Sequence, residues 1–144
     1  MNVIIVEDER SAIDNMLALL QEIDPDIKVL ACLKSIEESL LWINNNPSPE
    51  LAFFDIQLAD GSSFEIFEKT VVKFPVVFTT AYSEYTLKAF KVNSIDYILK
   101  PIRKKDLEFA IQKYKSLSET FTTSNSEFLN TLPLQAQTIY LKTA

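Results

Sequence analysis

Four apolar stretches of this chain each end in polar residues that could carry chemistry. The endings are Glu7-Asp8 after Val3–Val6, Asp55 after Leu51–Phe54, Thr79-Thr80-Ala81 after Pro75–Phe78, and Lys100-Pro101 after Ile95–Leu99. Helix-like segments separate the stretches, which predicts parallel strands whose carboxyl ends share one edge of a sheet. In open α/β sheets, that edge is where ligands bind.

The acids at this edge predict a cation site. Glu7, Asp8 and Asp55 would bring about three negative charges into one shallow pocket, which is unfavourable unless a cation joins them. Because only oxygen ligands are offered, a hard ion such as Mg²⁺ is favoured over zinc or copper. Mg²⁺ usually keeps several waters, so such a site can accept a phosphoryl oxygen.

The remaining groups at the edge predict phosphoryl transfer to a carboxylate. Lys100 supplies a positive charge, and Thr80 offers a hydroxyl and, with Ala81, backbone N–H groups. A cation, an ammonium and a hydroxyl around Asp55 would stabilise an in-line transfer by positioning and charge neutralisation. Asp55 would then be the nucleophile that forms an acyl phosphate. Pro101 fixes the loop after Lys100, and its peptide bond is a candidate for the cis form, which about 5% of X-Pro bonds adopt.

Each of these signals has an ordinary structural reading when taken alone. A single Asp after a strand is usually a cap or loop residue, and Glu7-Asp8-Glu9 is more often a solvated turn or helix start. Lys-Pro and Thr-Thr-Ala are nearly uninformative by themselves. The functional interpretation depends on their joint occurrence, in order, at successive strand ends.

The elements that must position these residues follow a strand–helix alternation. Short β-rich runs and amphipathic helices alternate five times, which predicts an α/β fold with a parallel sheet covered on both faces. The predicted strands are about 2–6, 27–32, 51–55, 75–79 and 95–99. The predicted helices are about 10–23, from Ser35 onward, 62–72, 83–92 and 104–118.

Several local features refine this outline. Ser35 followed by Glu38 predicts a capping box at the second helix. Gly61 is the only glycine, so it marks a backbone position that other residues tolerate poorly. Phe64, Phe67 and Val71 are expected to face inward from the third helix. Residues 119–144 are expected to be a linker or tail, rich in Thr and Ser at first, that is either the start of a truncated effector domain or the end of a stand-alone domain.

Composition limits the classes of function. The chain has 144 residues, is 47% apolar, and carries a net charge of −6, which suits one globular domain and argues against nucleic-acid binding by this segment. The absence of histidine excludes zinc sites with His ligands and histidine general bases. Any phosphohistidine must therefore belong to another protein. One cysteine, no signal peptide and no apolar run long enough to span a membrane predict a cytoplasmic protein.

At this point the residues match a known family. Residues 1 to about 118 closely resemble a response regulator receiver domain, through Glu7-Asp8, Phe53-Phe54-Asp55, Thr80-Ala81, Tyr97 and Lys100-Pro101. The amino-acid sequences of three segments resemble those of the LytTR-type branch of this family: Asp55–Gly61, Phe78–Tyr82 and Ala89–Tyr97. The resemblance implies a (βα)5, flavodoxin-like, doubly wound sheet with strand order 2-1-3-4-5.

The resemblance also implies a role for each site residue. Asp55 would accept phosphate from a histidine kinase. Asp8 and Asp55 would bind Mg²⁺ directly, Gln57 through its backbone carbonyl and Glu7 through water. Glu7 stands where Asp is commoner, which lengthens this acid.

The remaining implied roles concern switching and partners. Lys100 would contact the phosphoryl group, Thr80 would move toward it, and Tyr97 would rotate inward. Gln57 and Tyr82 would tune the phosphoryl lifetime. A homodimer would form through the fourth helix, fifth strand and fifth helix, and DNA would be bound only through a C-terminal domain that does not follow here. No membrane partner is implied.

Three rival readings are distinguishable. An aspartyl-phosphate hydrolase of the haloacid dehalogenase kind expects a second Asp two residues after the nucleophile, where this chain has Gln57. A flavodoxin-like electron carrier needs a phosphate-binding loop after the first strand, and Glu7-Asp8-Glu9-Arg10 would repel a flavin phosphate. A purely structural interaction module would not need the acid cluster, and replacing Asp55 by Asn would leave it unchanged. Within the receiver family itself, the alternative is a stand-alone or degenerate receiver that acts as a docking module.

Overall fold

The computed structural model describes residues 1–82 and 94–123, which form a sheet flanked by helices. The elements, in chain order, are β1 (Asn2–Val6), α1 (Arg10–Ile23), β2 (Lys28–Leu33), α2 (Ile36–Asn45), β3 (Leu51–Asp55), β4 (Gln57–Leu58), β5 (Gly61–Ser62), α3 (Phe64–Lys69), β6 (Val76–Thr80), β7 (Ser94–Leu99) and α4 (Lys104–Thr123). The fourth predicted helix, at about 83–92, and the tail after 123 lie outside the described residues.

The five main strands form one parallel sheet in the order β2-β1-β3-β6-β7. This is the predicted order 2-1-3-4-5, because β6 and β7 are the fourth and fifth predicted strands. The register pairs Val6 with Phe54, and Asp55 with Thr79. The carboxyl ends of β1, β3 and β6 therefore lie side by side, as the sequence predicted.

Residues on β3 alternate between two hydrophobic cores, one on each face of the sheet. Phe54 packs in a cluster with residues of α2 and α3, including Ile36 and Ile66. Its neighbour Phe53 packs on the opposite face with α1 and α4. Every residue of β3 and β6 is buried, and each strand is apolar until its polar carboxyl end, as expected for a sheet covered on both faces. The α/β class is confirmed.

The third helix is shorter than predicted. Helix α3 covers only Phe64–Lys69: residues 57–62 form a small antiparallel hairpin of β4 and β5 that delays its start, and Thr70 has extended backbone angles, φ −150° and ψ 165°, which end it. Val71 therefore lies beyond the helix and is 54% exposed, so its predicted inward orientation is wrong. Ile66 and Val72 are buried instead.

The other boundaries differ by less. Strands β2, β6 and β7 are shifted or extended by one residue from the prediction. Helix α4 continues to Thr123, five residues beyond the predicted end at 118, so residues 120–123 are helical rather than linker. The division into a domain at 1–118 and a tail at 119–144 stays a prediction.

The start of α2 is capped by two side chains rather than one. The Ser35 hydroxyl accepts from the Glu38 N–H at 3.0 Å, which confirms half of the predicted capping box. The Glu38 carboxylate accepts from the Lys34 N–H instead of that of Ser35. The second cap is Asp60, whose two carboxylate oxygens each lie 3.0 Å from the Ile36 nitrogen. This contact joins the β4–β5 hairpin to α2.

Gly61 occupies a backbone position that only glycine adopts readily. Its φ is +139°, a region that L side chains avoid. A Cβ there would also lie 2.4 Å from a Glu65 carboxylate oxygen and 3.2 Å from Cδ1 of Ile36. The prediction made from its being the only glycine is confirmed.

Within residues 1–82 and 94–123, no helix is both long and apolar enough to cross a bilayer.

Candidate functional site

Three carboxylates meet where β1 and β3 end. Glu7 and Asp8 follow β1, Asp55 is the last residue of β3, and the two strands are neighbours in register. One oxygen from each of the three carboxylates lies within 4.8 Å of the other two. Glu7 and Asp55 are only 5% and 7% exposed, whereas Asp8 is more open to solvent. The predicted acid cluster is therefore formed.

Lys100 reaches this cluster from the end of β7: Asp55 lies across strand β6, and Glu7 lies across both β6 and β3. Its Nζ lies 2.6 Å from Glu7 Oε1 and 3.2 Å from Asp55 Oδ2. Its backbone N–H donates to the Thr80 carbonyl at 2.7 Å, which fixes the start of the side chain beside β6. The peptide bond from Lys100 to Pro101 is cis.

The electrostatics of this group follow from burial and crowding. Burial raises the pKa of Glu7 above its ordinary value of 4.5, and the neighbouring Asp55 raises it further, while Lys100 acts in the opposite direction. Burial by itself lowers the pKa of Lys100, but its bonds to Glu7 and the charge of Asp55 outweigh this and hold the pKa above 10.5. The Lys100 ammonium thus forms ion pairs with both Glu7 and Asp55. Lys100 therefore stays charged, while Glu7 retains a proton more readily than usual.

Backbone N–H groups hold the two buried acids in place. The second oxygen of Glu7, Oε2, accepts from the N–H groups of Asp8 and Glu9 at 3.1 and 3.2 Å. Asp55 Oδ1 accepts from the Gln57 N–H at 3.3 Å. The Gln57 side chain is exposed at the rim of the site. Its role as a carbonyl ligand stays a prediction.

Thr80 lies at the end of β6 and is almost completely buried, at 1% exposure. Its hydroxyl accepts from the Tyr82 N–H at 3.2 Å, so it shapes the turn that follows the strand. Ala81, within this turn, is exposed. Movement of Thr80 toward a phosphoryl group stays a prediction.

Tyr97 lies on β7, beside Phe78 of β6 in the sheet register. It is partly buried against the core on the α2 and α3 side, and its hydroxyl donates to the Tyr82 carbonyl. Tyr82 itself is 47% exposed. Tyr97 thus connects the edge strand to the turn after Thr80, and its predicted rotation stays a prediction.

Sequence reasoning missed the direct pairing of Lys100 with Glu7. The predicted role of Lys100 was to contact a phosphoryl group, but its shortest contact in the structure is with Glu7, at 2.6 Å. The signal was present, since an acid and a lysine both follow strands of one parallel sheet, but the distance between them depends on how far the Lys side chain extends across β6 and β3.

The donor set fits a hard cation. The three clustered groups are all carboxylates, and hard divalent ions such as Mg²⁺ prefer oxygen ligands. The cluster opens to solvent on the side of Asp8. An ion could therefore keep water ligands there, as Mg²⁺ usually does.

The family match and the curated relatives of this chain point to the same class of protein. Residues 3–112 match the family described as the response regulator receiver domain. A sensory transduction protein LytT of Enterococcus faecalis is 39% identical over 116 residues, which cover 78% of this chain and 47% of that protein. A LytT protein of Bacillus anthracis is 33% identical over 123 residues, which cover 83% of this chain and 49% of that protein. The chain spans about half the length of the curated relatives it matches.

A solved structure agrees with the sequence relatives. The response regulatory domain of protein mrkE from Klebsiella pneumoniae superposes with a TM-score of 0.71 at 28% identity. The match covers 83% of this chain and 99% of that one.

Proposed function

This chain belongs to the response regulator receiver family, in the branch whose relatives are LytT and LytR sensory transduction proteins, and from that premise we propose that Asp55 accepts a phosphoryl group from the phosphohistidine of a partner kinase. These relatives are signalling proteins, so the chain is a signalling receiver rather than a metabolic enzyme. Its catalysis would be limited to its own phosphorylation and dephosphorylation.

The observation that carries this proposal is the surroundings of Asp55. An oxygen of this buried carboxylate lies 3.2 Å from the Lys100 ammonium, within a cluster of three acids at the carboxyl edge of the sheet. A carboxylate oxygen of Asp55 would attack phosphorus as the bond from phosphorus to the histidine nitrogen breaks, leaving the imidazole on the kinase. Lys100 would neutralise charge on the transferred group.

Asp8 and Asp55 would hold Mg²⁺ directly, with the Gln57 backbone carbonyl as a third protein ligand. Glu7 would act through water, since Lys100 and two backbone N–H groups already engage its oxygens. When bound, the ion supplies the positive charge that lets Asp8, Asp55 and the phosphoryl oxygens lie close together.

Thr80, Ala81 and Tyr97 would convert phosphorylation into a change of shape. The phosphoryl group adds about −1.5 to −2 charge. It shifts the conformational equilibrium only if it bonds better in one state, through Lys100, the Thr80 hydroxyl and the Ala81 N–H. The bond from Tyr97 to the Tyr82 carbonyl gives that change a route to the exposed edge of the sheet. Gln57 and Tyr82, at the rim, would tune how fast water removes the group.

The output would lie outside this chain. The relatives are about twice as long, and we propose a LytTR-type DNA-binding domain in the full-length protein, with a receiver homodimer as the regulated unit. With a net charge of −6, this chain alone is not expected to bind DNA. A mobility shift of promoter DNA by the receiver alone would contradict this.

The first experiment is intact mass spectrometry after incubation with Mg²⁺ and acetyl phosphate. Wild type should gain about 80 Da, one phosphoryl group, and Asp55→Asn should gain nothing. Asp60→Asn is the matched control, because it removes a nearby exposed carboxylate outside the acid cluster and should still be phosphorylated.

Two results would contradict the proposal. Equal phosphorylation of wild type and Asp55→Asn would place the acceptor elsewhere. No phosphorylation of a protein shown by calorimetry to bind Mg²⁺ would favour the alternative of a degenerate receiver that acts as a docking module.

A further inference from the structure

A groove runs between α2 and α3, away from the acid cluster. Its volume is about 400 Å³, and its apolar part is formed by Ile36, Leu40 and Leu41 of α2. Leu41 is 61% exposed and is not among the residues that pack on the core beneath α2. Its side chain therefore adds apolar surface to the groove without serving the fold.

The groove is held open by contacts at both of its ends. At one end, the Asp60 carboxylate lies 3.0 Å from the nitrogen of Ile36, at the start of α2. At the other, the Thr70 hydroxyl, just after α3, donates to Asn44 Oδ1 at 2.9 Å. These contacts join α2 to the β4–β5 hairpin that precedes α3 and to the residue that follows α3, so both ends of the groove are positioned by the fold itself.

The walls of the groove are acidic. On the α2 side, Glu37 lines the groove, and no Lys or Arg occurs in Ile36–Asn45. On the facing side lie Asp60 and Glu65, with Glu65 placed beside Gly61, where a Cβ would collide with its carboxylate. Among the described residues that line the groove, Lys69 is the single cation, and it lies 3.7 Å from Glu65.

We propose that this groove binds an amphipathic, cationic helix of a partner protein. The floor follows Ile36, Leu40 and Asn44, which are spaced four residues apart and so extend about 12 Å, the length of roughly two helical turns. A partner helix would place apolar residues at i, i+3, i+4 and i+7 on Leu40 and Leu41, with Lys or Arg beside Glu37 and Glu65. Anionic partners, such as nucleic acid or acidic lipid, are disfavoured by the same charges.

This binding does not use Asp55, so it is testable on the unphosphorylated protein. The probe is a capped helical peptide of about 14 residues with leucines at i, i+3, i+4 and i+7 and lysines on the flanks. Its binding to the ¹⁵N-labelled chain is followed by chemical-shift changes in a titration. We expect the shifted amides to lie in α2 and α3, and a matched peptide with Glu in place of Lys to bind at least about tenfold more weakly.

Two variants locate the contact. Leu41→Lys should weaken binding of the cationic peptide at least about tenfold, and it should fold normally because Leu41 is exposed. Phe109→Lys, an equally exposed apolar residue of α4, is the matched control and should bind as wild type does.

Several outcomes would overturn the proposal. Equal binding of the basic and acidic peptides would remove the role of the acidic walls. Shifts confined to other elements, or binding unaffected by Leu41→Lys, would remove the site. Concentration-dependent self-association that Leu41→Lys abolishes would show that a second copy of this chain, and not a cationic helix, covers the groove.

Discussion

At the residue scale, Lys100 joins two buried carboxylates that come from different strands. Glu7 and Asp55 both lie within 3.2 Å of its ammonium, and its side chain is 20% exposed. The ion pair is therefore only weakly screened by solvent, unlike the surface pairs of this protein. Its contribution to stability should be measurable and should depend on pH.

Replacing Lys100 by Met should lower the free energy of unfolding by about 2–3 kcal/mol near pH 8. Without the ammonium, Glu7 and Asp55 are two like charges in a buried site, and the pKa of Glu7 rises further. When the pKa of a group is higher in the folded protein than in the unfolded chain, its protonation stabilises the folded protein at low pH, and this stabilisation is lost as the pH rises through the folded-state pKa. The loss caused by Lys100→Met should therefore be smaller near pH 5 than near pH 8, as measured by urea unfolding.

Lys104→Met is the control for this substitution. Lys104 forms an exposed pair with Glu108 at 4.0 Å, so its replacement should change stability by less than about 0.5 kcal/mol. A loss for Lys100→Met that is the same at both pH values would show that packing, rather than charge, determines the effect.

The raised pKa of Glu7 predicts that Mg²⁺ binding weakens as the pH falls. Burial and Asp55 favour the protonated form of Glu7, and an ion that joins the cluster must compete with that proton. As the pH falls through the raised pKa, more Glu7 is protonated, so the dissociation constant for Mg²⁺ should rise between pH 8 and pH 5. Titration calorimetry at constant ionic strength measures this change.

Glu7→Gln should bind Mg²⁺ more weakly near pH 8 and should show a flatter pH dependence. The amide cannot gain the proton that competes with the ion. A variant whose pH dependence matches wild type would assign the competing proton to a different acid.

At the element scale, α2 depends on a cap supplied from a distant part of the chain. Asp60 is 24 residues from Ile36, yet its carboxylate accepts from the first N–H groups of the helix. Negative charge at a helix start is favourable because of the helix dipole, in addition to the hydrogen bonds themselves. The loop that follows Asp55 is thereby held against α2.

Asp60→Ala should lower the free energy of unfolding by about 1–2 kcal/mol. Hydrogen exchange at the Ile36 and Glu37 amides should become faster, because these N–H groups lose their acceptor. Glu68→Ala, which removes an exposed acid from α3, should change neither quantity appreciably. Unchanged exchange at Ile36 in Asp60→Ala would show that Ser35 alone is sufficient to cap the helix.

At the scale of the whole molecule, two exposed apolar residues favour the proposed homodimer face. Leu99 of β7 and Phe109 of α4 are 46% and 64% exposed and line one surface with Tyr97 and Arg103. Large exposed aromatic and aliphatic side chains are more frequent at protein–protein interfaces than on the remaining surface of a soluble protein. The surface adjoins Lys100, so it could respond to phosphorylation.

Phe109→Lys should weaken dimerisation of the phosphorylated receiver. The charge would enter an apolar interface and leave an unpaired ammonium there, a change that should weaken association at least about tenfold. Sedimentation of the acetyl phosphate-treated protein at several concentrations measures this. Leu41→Lys, on the opposite side of the sheet, is the control, and a wild-type mass that stays at the monomer value at every concentration would rule out the dimer.

The strand ends show how much of the candidate site could be read from the amino-acid order. Glu7, Asp8 and Asp55 could be placed together because each follows an apolar run and parallel strands align their carboxyl ends. The strands follow from short apolar runs and the extent of α1 from helical periodicity, which are local properties of the chain. The helix α3 was predicted too long because the two-residue strands of the hairpin at 57–62 have no periodic signal, and no sequence signal marked the extended backbone of Thr70 that ends the helix.

Sequence alone thus determined which chemical groups are available, where the regular elements lie, and that the acids share one edge. Only the tertiary structure decided that Lys100 bonds Glu7 more closely than Asp55, that Asp60 caps α2, and that Leu41 is left exposed above a groove. The physical reason is the range of the interactions. Periodicity and capping motifs act between residues a few positions apart, whereas these contacts depend on how far side chains from separate elements reach once the sheet and helices have packed.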